Sequence, residues 1–172
     1  EELERILRKI TEMLREIARK LKKLLEDDKE SLDRNKEKTE DDLRRDKESL
    51  DRLRKSNIPE EEVRKRLKEN KDRLRKRSKE SKEDLERNED ENDKAAKDLK
   101  RLLDELREEI ERRNLDDKIL RDLEELLKDL ERKIRRILDE SRKLNDELRK
   151  ENKKAEDTSR RLNEELEERL RT

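Results

Sequence analysis

Glycine, cysteine, histidine, phenylalanine, tyrosine and tryptophan are all absent from this 172-residue chain, and proline occurs once, at Pro59. Each absence removes a class of chemistry. Without cysteine there is no disulfide framework, thiolate nucleophile or redox motif, and cysteine usage says nothing of compartment. With neither histidine nor cysteine, the usual zinc, haem and iron-sulfur ligand sets cannot be assembled, and a Ser-containing triad lacks its base. Lacking glycine, the chain can form neither a P-loop nor a dinucleotide-binding turn. Apolar runs never exceed a pair of neighbours, which excludes a membrane span and a signal-peptide core. The missing aromatics take away the stacking platforms on which nucleic acids and sugars are usually held.

What remains is charge and helix formers. Charged residues make up 63% of the chain, balanced at 54 Lys+Arg against 54 Asp+Glu, where an ordinary domain carries about 25%. Hydrophobic residues are only 25%, a fraction that suggests disorder when net charge is high. Here the formal net charge is zero, and nearly every residue present favours helix. The choice is therefore between a packed helical bundle and an isolated charged helix.

Two breaks divide the chain: Ser56-Asn57-Ile58-Pro59 and Arg113-Asn114-Leu115-Asp116. They predict helices over about 2–56, 59–113 and 116–171, each roughly 80 Å long at about 1.5 Å per residue. Asn57 and Asn114 suit the left-handed position just past a helix end. Ile58 and Leu115 would then fold back on Leu53 and Ile110 as in a Schellman-type cap. Pro59 suits a helix first turn and Asp116 an N-cap. Connections this short force antiparallel neighbours, so the expected fold is all-α: a single-chain, up-down-up, antiparallel three-helix bundle forming one elongated domain over 1–172.

Apolar spacing favours the bundle. Leu3, Ile6, Leu7, Ile10, Met13, Leu14, Ile17, Leu21, Leu24 and Leu25 fall within about 120° of arc at about 100° per residue. A stripe that wide serves a helix facing two neighbours. The second helix repeats it with Leu99, Leu102, Leu103, Leu106 and Ile110, and the third with Ile119, Leu123, Leu126, Leu130, Ile134 and Ile137. Core positions in the second helix advance by steps of 4, 3, 4, 4 and 3, and the five-step pattern then recurs. The mean step, about 3.6, predicts nearly straight helices, whereas a step of about 3.5 would supercoil them.

The same five-turn period also appears as a literal repeat. DKESLDR occupies Asp28 to Arg34 and returns unchanged at Asp46 to Arg52. Pairing helix one with helix two so that residue numbers sum to 116, and helix two with helix three so that they sum to 229, assigns cross-sections. Ile6/Ile110/Ile119, Ile10/Leu106/Leu123, Met13/Leu103/Leu126 and Ile17/Leu99/Leu130 are wholly apolar. One repeat on, the Ile10 layer becomes Asp28, Asn88 and Ser141; a second repeat gives Asp46, Asn70 and Ser159. Thr39, Ser78 and Asn152 share another layer, and Asn35 meets Ser81 beside Leu148. Residues 1–25, 95–115 and 116–138 thus make a conventional core. The remainder must either satisfy its buried polar groups among themselves or admit water, since an unsatisfied one costs about 1–3 kcal/mol.

None of these constellations reads as chemistry. Asp28, Asn88 and Ser141 offer one carboxylate and two neutral groups, a poor calcium cage. Acidic and basic residues at i, i+4 are helix support on solvated faces. No catalytic, cofactor-binding or metal-ligating residue is expected, and no nucleic-acid or membrane partner.

The duplicated DKESLDR, the three equal helices, the matched Asn-Ile-Pro and Asn-Leu-Asp connections and the Glu/Lys/Arg-saturated surface together resemble de novo designed, parametrically generated antiparallel three-helix bundles. In that class helices are untwisted on an 18-residue repeat and buried hydrogen-bond networks line the core. The resemblance implies a soluble, monomeric scaffold with no natural biochemical function, no enzyme activity, cofactor or partner. On recombinant expression it would be cytoplasmic. A designed or natural coiled-coil module that binds a partner helix is the alternative.

Overall fold

With no glycine and a single proline, the chain has almost nothing that breaks a helix. The computed structural model describes residues 2–55 and 58–171, in which the elements are α1 (Glu2–Lys55), α2 (Glu60–Glu111) and α3 (Asp117–Arg171). Several ends carry charges that complement the helix dipole, although the last turn of α2 has no basic residue. Glu60, Glu61 and Glu62 open α2, Asp117 opens α3, and Arg52, Arg54 and Lys55 close α1.

Backbone hydrogen bonds mark the start of α2 and the passage from α2 to α3. The carbonyl of Pro59 accepts the N–H groups of Glu62 and Val63 at 3.0 and 3.2 Å, so Pro59 stands just before the first helical residue. The Asp116 carbonyl accepts Leu120 N–H at 3.0 Å, as an N-cap carbonyl does. The expected left-handed Asn114 is corrected: among the described residues no non-glycine has positive φ. Instead Arg113 N–H bonds Ile110 O at 3.3 Å and Leu115 N–H bonds Arg113 O at 2.8 Å. That second bond closes an inverse γ-turn centred on Asn114, which reverses the chain without the αL cost of a Cβ. The hydrophobic half of the expected cap is present, because Leu115 packs on the cluster containing Ile110. Leu53 and Ile58 likewise pack on one cluster, while Asn57 lies outside the described residues.

The chain divides into two compact units, Glu1–Lys29 with Asn88–Leu144, and Glu30–Arg87 with Asn145–Thr172. Each is a three-helix bundle. In the first, Lys9 pairs with Glu109 and Lys20 with Asp98, so rising numbers in α1 meet falling numbers in α2. Asn92 and Arg107 of α2 meet Ser141 and Glu131 of α3 in the same antiparallel sense. In the second, Lys38 pairs with Glu80 and Asp42 with Arg77, while Asn35 meets Asn152 and Asp46 meets Ser159. There α1 and α3 run parallel, both antiparallel to α2.

Aliphatic burial holds the first unit. Ile6, Ile10, Ile17 and Leu21 pack against Leu99, Leu102, Leu103, Leu106 and Ile110, and against Leu123, Leu127 and Ile134. Each such side chain contributes about 1.5–3 kcal/mol. One expected layer member is corrected: Leu126 is 47% exposed, and Leu127 takes the core position. Adjacent residues project about 100° apart, and only Leu127 continues the buried row that includes Leu123 and Ile134. Leu3 and Leu7, also expected on the stripe, are exposed. In the second unit the apolar cluster is smaller: Leu50, Val63, Leu67 and Leu166, with Leu53, Ile58, Leu162 and Leu170 packed against it.

Candidate functional site

The chemistry of the interior is concentrated in two buried aspartates, one in each unit, and in the hydrogen bonds that reach them. Both sit at the first position of DKESLDR, on the α1 face that the five-turn repeat keeps inward.

In the first unit Asp28 is 1% exposed. Its Oδ2 accepts the hydroxyl proton of Ser141, and Ser141 Oγ in turn accepts Asn92 Nδ2–H at 2.7 Å. Asn88 is buried too, but the bond to Ser141 comes from Asn92, about one turn further along α2. Asp28 Oδ1 and Asn92 Oδ1 are buried with no hydrogen-bond partner. Burial pushes the Asp28 carboxyl up to about 6. The Ser141 bond pulls it down, and the charges of Glu91 and Asp27 raise it further.

The second unit repeats the core of this arrangement with different surroundings. Asp46 is 2% exposed and its Oδ2 accepts Ser159 Oγ–H at 2.7 Å. Arg73 Nη2 lies 3.8 Å from Asp46 Oδ1 and donates to Asn70 Oδ1, so one guanidinium connects the two other polar members of the layer. Asn70 Nδ2 has no partner. Burial raises the Asp46 carboxyl, while the Ser159 bond and then Arg73 and Arg77 pull it back.

The contrast between the two sites has a sequence cause. Glu91 and Arg73 occupy equivalent α2 positions, one repeat apart. The same buried aspartate therefore faces an anion in one unit and a cation in the other. Asn92 has Leu74 as its equivalent, so Ser159 lacks the amide donor that Ser141 receives.

Of the other expected polar positions, Asn35 and Ser81 do meet, with Ser81 Oγ–H donating to Asn35 Oδ1 at 2.7 Å and Leu148 buried nearby in sequence register. Asn35 Nδ2–H also donates to Asn152 Oδ1. Thr39, Ser78 and Asn152 are joined by no hydrogen bond among the described residues. Asn152 is taken by Asn35, Ser78 donates to Glu156, and Thr39 Oγ1 is buried with no partner.

Ser31, Ser49 and Asn92 are buried on core positions of the five-turn repeat, whereas Asn145, Asn163 and Arg77 are buried polar residues that lay outside the sequence assignment. A signal existed for two of the latter. Ser141-Arg-Lys-Leu-Asn145 returns as Ser159-Arg-Arg-Leu-Asn163, again one repeat on, which places both asparagines on the stripe of their serines. For Arg77 no such signal existed, because an arginine in a chain this charged is indistinguishable from surface.

Each cluster consists of a hydroxyl, amides and one carboxylate, with the serine hydroxyl donating to the aspartate in both. No group of three or more acidic residues among the described residues is placed to hold a metal ion, and no described helix is long and apolar enough to cross a membrane. A solved "Computationally designed three helix bundle" matches 97% of this chain and 84% of its own, with a TM-score of 0.53 and 15% sequence identity. No family model and no curated protein matches.

Proposed function

We propose that the chain, whose fold is that of a designed three-helix bundle, is itself a de novo designed, non-catalytic scaffold. In this reading it is a monomer that combines an aliphatic core and a hydrogen-bonded polar core in one sequence. The observation that carries the reading is the repeated Ser-to-Asp bond. Ser141 to Asp28 and Ser159 to Asp46 keep the same offset of 113 residues and arise from the duplicated DKESLDR. A polar pair placed twice at one helical register is a rule of construction, and buried polar groups specify alignment when their partners are placed.

The reading is tested by light scattering coupled to size exclusion and by amide exchange. A monomer at all concentrations is expected, with slowest exchange in helix segments contributing to the aliphatic cluster and faster exchange around Asp46 and Asn70. Uniform protection along the chain, or a concentration-dependent oligomer, overturns it. The alternative reading, a module that docks a partner helix, draws on Leu3, Leu7 and Leu126, the large hydrophobic side chains left exposed. Self-association that disappears when all three are changed to Glu would favour that alternative.

A further inference from the structure

In the second unit a cavity of about 340 Å³ lies between α1 and α2. Five cationic side chains and three carboxylates line it, an excess of positive charge in a chain whose formal net charge is zero. Two of the cations are arginines with donors still to satisfy. Arg77 is only 6% exposed; its Nη1 reaches Asp42 Oδ2 at 3.3 Å, but its Nη2 is buried with no partner. Arg73 donates through Nη2 to Asn70, and its Nε is buried with no partner. Arg77 also lines an adjoining cavity of about 200 Å³, together with Arg34, Lys38 and Arg87 and the carboxylates of Glu80, Glu83 and Asp84.

We infer that this groove is a binding site for a small tetrahedral oxyanion of the phosphate type, held by Arg73 and Arg77. A guanidinium is a planar fork of five donors, matched to two oxygens of one anion at a time. Asp42 occupies only part of the Arg77 fork, at a long 3.3 Å, and the Asp46 oxygen stands 3.8 Å from Arg73, outside hydrogen-bond range. Neither carboxylate therefore satisfies the buried N–H groups, each of which carries a desolvation cost that an oxyanion would remove. Entry is not blocked by a strong contact. The Lys38–Glu80 ion pair spanning the two helices at the cavity wall is long, 3.6 Å, and solvent-exposed, so it contributes little and leaves Lys38 able to turn toward an anion. The first unit has no counterpart, because Glu91 and Ala95 stand where the second has Arg73 and Arg77.

The test titrates the full chain with inorganic phosphate while following arginine Nε–H resonances by NMR, against sodium chloride at matched ionic strength. Saturable shifts of the Arg73 and Arg77 signals, absent in chloride, are expected, with affinity falling at least about tenfold in Arg77→Gln, the loss of one charge-assisted contact. Arg142→Gln, an exposed change in the first unit, should leave the titration unaltered. Shifts that follow ionic strength alone, or equal affinity in Arg77→Gln, overturn the site. Should Arg77→Gln fail to fold by circular dichroism, Arg73→Gln replaces it with the same expectation, and the wild-type titration decides independently of either.

Discussion

Ser141 donates its hydroxyl proton to Oδ2 of Asp28, and the other oxygen of that carboxylate, Oδ1, is buried without a partner. An ionised Asp28 therefore has one good bond where it has lone pairs for several, and no cation among the charges that act on it. Its carboxyl titrates near 6 in place of 3.8. The folded state holds the proton to higher pH than the unfolded chain, so between these values it binds more protons and stability falls as pH rises. The contribution of the protonated acid is complete below about 3.8 and gone above about 6. At about 1.4 kcal/mol per pH unit, the difference is about 3 kcal/mol.

Asp28→Asn removes that ionisation while keeping shape. Urea unfolding at pH 7.5 is expected to show a gain of about 1–3 kcal/mol over the parent chain, narrowing to nothing near pH 4. Parallel stability curves for the two proteins across this range would mean that the carboxylate is hydrated in the folded state.

The companion change, Asp46→Asn, should behave differently although the heptapeptide around it is identical. Asp46 is drawn down by Arg73 and Arg77, and removing its charge leaves two arginines with one fewer anion. Because burial still leaves the Asp46 carboxyl above its ordinary value, stability at pH 7.5 is expected to stay level or to gain, by less than in Asp28→Asn. A gain equal to that of Asp28→Asn would show that the arginines do not act on Asp46.

If the α2 charge sets the two aspartates apart, it can be moved. Glu91→Arg places at the first site the charge that Arg73 supplies at the second. The carboxyl resonance of Asp28 should then titrate lower, by about one pH unit or less because position 91 is exposed, and the effect should shrink in high salt. An unmoved midpoint would mean that the charge at position 91 does not act on Asp28, leaving burial and Asp27 to raise it.

Much of this was legible in sequence, for identifiable reasons. The repeat closes on five whole helical turns, so DKESLDR had to present Asp28 and Asp46 alike, and register sums brought each to its serine. Two kinds of detail were not legible. Between the neighbours Leu126 and Leu127 only the packed rotation of α3 chooses, and the stripe is wide enough to admit both. Arg73, Arg77 and Glu91 are charged residues in a chain that is 63% charged, and composition cannot mark the few that turn inward or act on a buried carboxyl. The Asn114 turn escaped for a different reason: asparagine tolerates the left-handed region, but a γ-turn closed by Leu115 N–H reverses the chain without it.

The polar interior of the second unit also contains a hydroxyl that helps nothing. Thr39 Oγ1 is buried with no partner, whereas Asn35 donates to Asn152 and accepts from Ser81. Thr39→Val keeps the branched shape and deletes an unsatisfied group, so it should stabilise by about 1 kcal/mol. Asn35→Ala strands Ser81 and Asn152 and opens a gap, at a cost of about 1–3 kcal/mol. Both values come from denaturant midpoints at constant slope. The opposite ordering, with Thr39→Val the more damaging change, would mean that Thr39 is hydrogen-bonded in solution through water and that this stretch of the core is wet.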